Sequence, residues 1–355
     1  MVVLFWLVRI IITKDYKFTS LPLNKAMLLF LVSILVSGVD AWGIKFLDEV
    51  SSFILLVLFY FAIINTVDNL ILIKKLAYTT LFSMLIGVGY GLYQKFYLDM
   101  PRVGSFSFAL SFGEFTAIFL MFTISYLLWS KADNKQKGGL LFLTVIIALN
   151  LLFTKSRGAW LAFIGGLSSL VWLKDKRIII IFLICLLVLP LLLPQEYISR
   201  FKSSFNVTTN RSNLGRIALW KGSWLMYKDH PINGVGIGRF SSIYSNQYRQ
   251  PHTTSIDHAH NNWLHLLATT GTIGVLAFGY LIFKILKLLY YGYYKINESN
   301  WHLFVLASLA AVIVFNIEGL TQYNLGDTET SRFFWYLVSL NSIVINKLVR
   351  EGAKE

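Results

Sequence analysis

The sequence predicts an all-α fold: a polytopic bundle of about 10–11 transmembrane helices with one large external loop. Of the 355 residues, 56% are hydrophobic and only 14% are charged, whereas a soluble domain carries about 25% charged residues. Apolar runs recur along the chain, and one long hydrophilic stretch, residues 194–261, interrupts them. Such an apolar excess must face lipid, where the backbone satisfies its polar groups within helices.

Eleven apolar segments are the candidate helices. A bilayer core about 30 Å thick requires about 20 apolar residues in a helix. The first segment is therefore too short to span unaided, and several others need flanking residues or a thinner membrane. The segments lie near 1–12, 26–39, 50–66, 76–97, 106–129, 139–154, 157–173, 177–193, 262–283, 302–319 and 333–349.

Lys and Arg residues predict the orientation of these segments, because they concentrate in short cytoplasmic loops. One set of alternate connections holds 17 of them, and the opposite short loops hold 6. The first set is therefore cytoplasmic, and loop 194–261 lies outside, in the periplasm of a Gram-negative cell. This topology divides the chain into N-terminal transmembrane helices (1–193), a periplasmic loop that caps the outer face (194–261) and C-terminal transmembrane helices (262–355).

The charge and cysteine content exclude several function classes. The net charge of +14 is explained by topology rather than by nucleic-acid binding, because the basic residues mostly lie in short segments between apolar runs. A single cysteine, Cys185, excludes a disulfide framework and a cysteine metal site.

The centre of the loop contains a predicted helix followed by a glycine-rich turn. Residues 216–227 have helical apolar spacing, and His230-Pro231 ends that helix. The sequence GVGIG at 234–238 forces a tight backbone. It is not a dinucleotide fingerprint, because its third glycine has the wrong spacing and no strand precedes it. No cofactor is therefore expected.

The loop also has an excess of positive charge. It carries eight Lys and Arg against three Asp and Glu. An anionic ligand would explain this excess, since the planar guanidinium donates two parallel hydrogen bonds to phosphate. The alternative is that long translocated loops escape the charge bias. Arg157 stands apart, at the outer mouth where two apolar segments meet, and its alternative is a snorkelling side chain among lipid headgroups.

Two histidines, His258 and His260, lie where the chain re-enters the membrane. A neutral imidazole at this position can accept a hydroxyl proton near neutral pH. Asn261 and Asn262 can cap the next helix or bind a sugar. His265, one turn further, is interpreted as a packing residue. A zinc site that adds His252 to the pair is the rival interpretation, but its spacing is irregular and no HExxH helix is present.

Three motifs together resemble the O-antigen ligase and polymerase family. They are TKSRGAWLAF, GRIALWKGSWLMYKDHPINGVGIGRF and HAHNNWLHLLATTGTIGVL, in that order between about residues 154 and 281. The resemblance implies a GT-C-like membrane glycosyltransferase that works without a metal ion at the periplasmic face of the bacterial inner membrane. The implied donor is a glycan on undecaprenyl diphosphate. The implied acceptor is a sugar of the lipid A–core for a ligase, or another repeat unit for a polymerase.

The resemblance also assigns roles to residues. Arg157 and Arg216 would bind the diphosphate, and His260 would act on the acceptor hydroxyl, with His258 as a helper or in exchanged roles. Attack opposite the departing diphosphate would invert the anomeric carbon. The further candidates for substrate binding are Asn261, Arg211 and Arg239.

Two other functions remain open from the sequence. A repeat-unit polymerase of the same family shares these motifs. A polysaccharide flippase or transporter is the alternative from another class, although such proteins usually place charged residues near the bilayer midplane in paired repeats. No paired repeat is visible here.

Overall fold

The computed structural model describes residues 2–14, 19–39, 43–180, 184, 188, 191, 193–253, 256–297 and 299–351. Within these ranges all regular structure is helical and no strand occurs. The prediction of an all-α helical bundle is therefore confirmed. The predicted apolar segment 177–193, which includes Cys185, lies largely outside the described residues.

Ten of the eleven predicted apolar segments coincide with helices in the described part of the chain. Three further helices lie between residues 194 and 243, and π-helical turns occupy Tyr244–Tyr248 and Asn346–Glu351. The helices are α1 Val2–Thr13, α2 Asn24–Val36, α3 Ile44–Thr66, α4 Leu70–Phe96, α5 Ala109–Trp129, α6 Asn134–Phe153, α7 Arg157–Lys174, α8 Gln195–Lys202, α9 Arg211–Asp229, α10 Phe240–Ile243, α11 Asn262–Lys295, α12 Asn300–Glu318 and α13 Thr328–Ile345.

Six of the described helices are long and apolar enough to cross a membrane, by length and composition: α3, α4, α5, α6, α11 and α12. Helices α1 and α2 are apolar but have only 12 and 13 residues. At 1.5 Å per residue they reach about 20 Å, less than the bilayer core of about 30 Å. The set of apolar helices makes this a multi-pass membrane protein.

The helices form two compact units. Unit 1 contains Met1–Ile73, Arg211–Tyr291 and Gly319–Glu355. In it, α3 packs against α1, α2 and α13. Aromatic side chains join these helices. Phe30 of α2 contacts Phe53 of α3 and Phe278 of α11, with ring centroids 5.9 and 5.5 Å away.

Unit 2 contains Lys74–Asn210 and Gly292–Glu318. Its central helix is α12, which packs against α5 and α7 and is mostly buried. Gly166 allows the close approach of α7, since a Cβ there would collide with the Val314 side chain. Helices α4 and α6, by contrast, have few buried residues, as expected for apolar helices that face lipid. The predicted division into 1–193, 194–261 and 262–355 describes which parts of the chain cross the membrane and which part lies outside it. It stays a prediction.

The loop 194–261 is partly helical, as predicted. Helix α9 ends at Asp229, directly before His230-Pro231, because proline lacks the N–H that a helix interior needs and disfavours helical backbone in the residue before it. It begins at Arg211 rather than 216. The polar residues of its first turn have no apolar periodicity, so the sequence does not indicate that they are helical.

Helix α11 is broken at Gly271, whose φ of 63° and ψ of −161° are essentially restricted to glycine. The break deprives backbone groups of their helical partners, and segment 231–236 supplies replacements. Thr272 and Ile273 N–H donate to the carbonyls of Pro231 (2.9 Å) and Ile232 (3.3 Å), and the N–H groups of Val235 and Gly236 donate to the carbonyls of Ala268 and Thr269, both at 3.0 Å.

The glycine-rich turn is what permits this pairing. Gly234, Gly236 and Gly238 all have positive φ, from 68° to 92°, which confirms the predicted tight backbone. A Cβ at Gly234 would also collide with the backbone of Thr269. The turn therefore lies directly against the broken helix.

Substituting Gly271 tests the importance of the break. We expect Gly271→Ala to lower the free energy of unfolding by at least about 1–3 kcal/mol, because alanine is strained in this conformation and its Cβ would collide with the Ile232 carbonyl. The thermal midpoint of the purified protein in detergent measures the effect. Gly139→Ala is the matched control, since Gly139 lies exposed in α6 with nothing near its Cβ position. Equal midpoints for the two variants would contradict the proposed role of the break.

Candidate functional site

A small apolar core supports the site. Residues of α9 pack against the turn that follows it, against α10 and against the start of α11. Tyr244 is central to it, because its O–H donates to the Ala218 carbonyl at 3.0 Å. Its ring also lies so close to Gly222 that a Cβ there would collide with it. The buried members are Leu219, Met226, Val235, Phe240, Tyr244, Ala259 and Ala268.

His258 and His260 lie together in the turn immediately before α11. Their rings meet edge to face, with centroids 4.2 Å apart, and both side chains are half-buried. The backbone N–H of His260 donates to Nδ1 of His258 at 3.2 Å. Nδ1 of His260 lies 2.9 Å from Oε1 of Gln322. Two of the predicted site residues are therefore neighbours with distinct partners.

The backbone of His260 is in a left-handed conformation, with φ of 48°. Non-glycine residues rarely adopt it, and it tends to persist where the surrounding structure imposes it, often at functional sites. The conformation makes the pairing of the two rings possible, since it returns the His260 N–H towards the His258 side chain.

An aromatic layer lies beside the pair. His265 is buried, with its ring 3.9 Å from that of Tyr323 and 4.8 Å from that of Phe240, measured between centroids. The N–H of Ala259 donates to its Nδ1 at 3.4 Å. His265 is thus a packed residue with a structural hydrogen bond, as the sequence analysis interpreted it.

Asn261 and Asn262 connect this turn to segment 319–325. Oδ1 of Asn261 accepts from the Leu264 N–H at 3.0 Å, and so caps α11, while its Nδ2 donates to the Leu320 carbonyl at 2.9 Å. The amide of Asn262 donates to Asn324 Oδ1 at 2.6 Å and accepts from the Leu325 N–H at 3.2 Å. The capping role of Asn261 is confirmed, and its contact with substrate stays a prediction.

Arg216 of α9 acts electrostatically on both histidines. Its positive charge helps to lower the pKa of His258 and of His260. Burial is the larger cause in both residues, and it contributes to lowering the pKa of His258 to about 4. The nearby carboxylate of Asp257 opposes the shift in both but does not reverse it. Both imidazoles are therefore neutral at pH 7.

Arg157 belongs to unit 2, where it is the first residue of α7 and is buried. Its NH1 donates to the carbonyl and the hydroxyl of Ser203, at 2.8 and 3.2 Å. Other cations surround the turn before α7: Lys155 pairs with Glu196, and Arg200 donates to the Lys155 carbonyl at 3.3 Å. The sequence does not indicate that Lys155 and Arg200 belong to one cluster, because Arg200 lies more than forty positions further along the chain.

The remaining candidates are less enclosed. Arg211 is exposed at the start of α9, Arg239 is half-buried before α10, and His252 is exposed. Within the described ranges, no three His, Cys, Asp or Glu side chains lie together as a metal site would require. Sequence reasoning missed Gln322, because a single polar residue 62 positions after its histidine partner leaves no pattern to detect.

Comparison with models of protein families shows what this region of the chain is similar to. Residues 142–279 match the family model described as O-antigen ligase. This region of the chain is similar to the O-antigen ligase family. The resemblance drawn from the three motifs is thereby confirmed. No curated protein matches the chain.

The matched region contains Arg157, Arg216, His258 and His260. At the level of the family, the match supports a membrane enzyme of the glycosyltransferase kind. Gln322 lies outside the matched residues, and only the fold brings it to His260.

The depressed pKa of His258 predicts a pH-dependent stability. The unfolded chain takes up this proton at about pH 6.5, whereas the folded protein does so only at about pH 4. The fold is therefore most stable above about pH 6.5 and loses stability as the pH falls towards 4. We expect the free energy of unfolding to be lower at pH 5 than at pH 7 by on the order of 1–2 kcal/mol, and the thermal midpoint in detergent to fall accordingly.

A pair of variants isolates the contribution of this residue. His258→Gln should reduce the difference between pH 5 and pH 7, because the group that titrates is gone. His230→Gln, at an exposed position, should leave the difference as in the unaltered protein. An identical pH dependence in all three proteins would refute the assignment to His258.

Proposed function

We propose that the protein is a membrane glycosyltransferase that transfers a glycan from undecaprenyl diphosphate to a sugar hydroxyl of the lipid A–core. The reaction takes place at the periplasmic face of the bacterial inner membrane, needs no metal ion and inverts the anomeric carbon. The match of residues 142–279 to the O-antigen ligase model supports the class of reaction. The geometry around His260 supports the assignment of roles.

The observation that carries this proposal is that the positive charge of Arg216 acts on two neighbouring, half-buried imidazoles of the same unit. A neutral histidine beside a guanidinium can accept a proton while the guanidinium attracts an anion. The two histidines lie directly before α11, and α11 is long and apolar enough to span the membrane. A substrate with a lipid anchor and an anionic head suits this position.

In the proposed reaction, the acceptor hydroxyl attacks the anomeric carbon of the donor. Its oxygen forms the new glycosidic bond, its proton passes to His260, and the bond from the anomeric carbon to the diphosphate oxygen breaks. Undecaprenyl diphosphate leaves with the bonding electron pair. Because negative charge grows on the diphosphate as this bond breaks, Arg216 stabilises the transition state more than the bound donor.

Arg157 is proposed as the second diphosphate ligand. Its guanidinium is buried and already donates to Ser203, but the planar group has five N–H donors and can bind an anion as well. Arg211, Arg239 and Asn261 are proposed as further contacts to substrate. Membrane lipids surround the bundle, and nucleic acid has no part in the reaction.

Replacing His260 or Arg216 tests the proposal. His260→Asn suits the left-handed backbone, which asparagine tolerates, and should reduce transfer by about 10²–10⁴-fold through loss of the base. Arg216→Ala should abolish transfer, and Arg216→Lys should restore part of it, because lysine keeps the charge but not the bidentate geometry. The assay is transfer by the purified protein from an undecaprenyl-diphosphate-linked oligosaccharide to lipid A–core.

Lys221→Ala is the matched control, since Lys221 is exposed on the same helix as Arg216 and should leave transfer unchanged. Full activity of both His260→Asn and Arg216→Ala would refute the proposal. In cells, loss of all attached glycan with accumulation of the lipid-linked polymer indicates a ligase. Loss of long chains, with single repeats still attached to lipid A–core, would instead indicate a polymerase.

A further inference from the structure

Gln322 gives His260 a defined proton position. Its Oε1 lies 2.9 Å from Nδ1 of the imidazole, and an amide oxygen can only accept a hydrogen bond. Nδ1 of the neutral ring therefore carries the proton. The other ring nitrogen, Nε2, carries the lone pair, and it has no hydrogen-bond partner among the residues that the structure describes.

His258 has the opposite arrangement. Its Nδ1 accepts the backbone N–H of His260 at 3.2 Å, so in the neutral ring the proton lies on Nε2. The two neighbouring imidazoles are thus not equivalent. His260 offers an acceptor nitrogen, whereas the unengaged nitrogen of His258 is a donor.

We propose that Gln322 is a positioning residue that fixes the tautomer and ring orientation of His260, so that Nε2 of His260 is the atom that takes the acceptor's proton. His258 then acts as a hydrogen-bond donor and not as the base. This inference rests on the proposed function. It also resolves which of the two histidines would be the base, a question that the sequence leaves open.

The fold holds Gln322 in place from both sides. Before it, the Leu320 carbonyl accepts from Asn261, and after it, Asn324 and the N–H of Leu325 bond to Asn262. Tyr323, the next residue, is buried against the rings of His258 and His265. A residue between two anchored points loses little further freedom on bonding, so its amide can orient a ring at low entropic cost.

Proton transfer is compatible with this role. When Nε2 takes the proton, both ring nitrogens are donors, and the bond from Nδ1 to Gln322 is kept. Burial is the largest influence on the pKa of His260 and lowers it, and the positive charge of Arg216 lowers it further. The hydrogen bond to Gln322 and the charge of Asp257 favour the charged ring and partly oppose this shift. A carboxylate in place of the amide would favour the charged ring more strongly.

Two substitutions of Gln322 separate orientation from packing. Gln322→Met keeps the length of the side chain but removes the acceptor, and should lower kcat by at least about tenfold, since a base without its orienting partner is misplaced. The KM for the undecaprenyl-diphosphate-linked oligosaccharide should stay within about twofold, because that donor is bound elsewhere. Gln322→Glu should retain transfer and move the acidic limb of the pH–rate profile to higher pH.

Gln247→Met, at an exposed position, is the matched control and should behave as the unaltered protein. Thermal midpoints in detergent show whether each variant is folded. If His260→Asn is inactive while Gln322→Met keeps full kcat, or if Gln322→Glu leaves the pH profile where it was, the positioning role is wrong and the proposed function stands. Full activity of His260→Asn would overturn this inference, and full activity of both His260→Asn and Arg216→Ala would overturn the proposed function as well.

Discussion

A helix that breaks in or near a membrane must find new partners for the backbone groups that it releases, because lipid offers none. Helix α11 meets this constraint at Gly271 with the segment 231–236, which supplies two carbonyls and two N–H groups. This pairing fixes loop 194–261 to the first part of α11. The histidines before α11 and the arginine on α9 then belong to one packed unit rather than to a free loop.

The polar connection between the turn before α11 and segment 319–325 is the second element that the site needs. Asn262 holds it with both ends of its amide. Asn261 holds it with Nδ2, while its Oδ1 caps α11. Buried amide groups are costly to leave without hydrogen bonds, so these hydrogen bonds favour one arrangement of the two segments over others. Through them, a helix connection remote in sequence contributes Gln322 to the histidine pair.

The electrostatic state of the site follows from its position in the fold. Half-buried imidazoles near a guanidinium resist protonation, since both burial and the like charge disfavour the charged ring. A base must be unprotonated to work. Here burial is the main cause that keeps His258 and His260 neutral, and the arginine that adds to this effect is also suited to bind an anion. The neutral state of the two imidazoles and the presence of a guanidinium near them thus follow from one arrangement of the fold.

The sequence by itself determined the helical membrane architecture, the resemblance to the O-antigen ligase family and the identity of the candidate residues, because apolar length, loop charge and the three motifs are local properties. Only the tertiary structure decided that α11 breaks at Gly271 and pairs with segment 231–236, that Asn261 binds the Leu320 carbonyl, and that Gln322 bonds to His260. These contacts join residues tens of positions apart. Their existence depends on packing and hydrogen-bond geometry in three dimensions, for which spacing along the chain carries no signal.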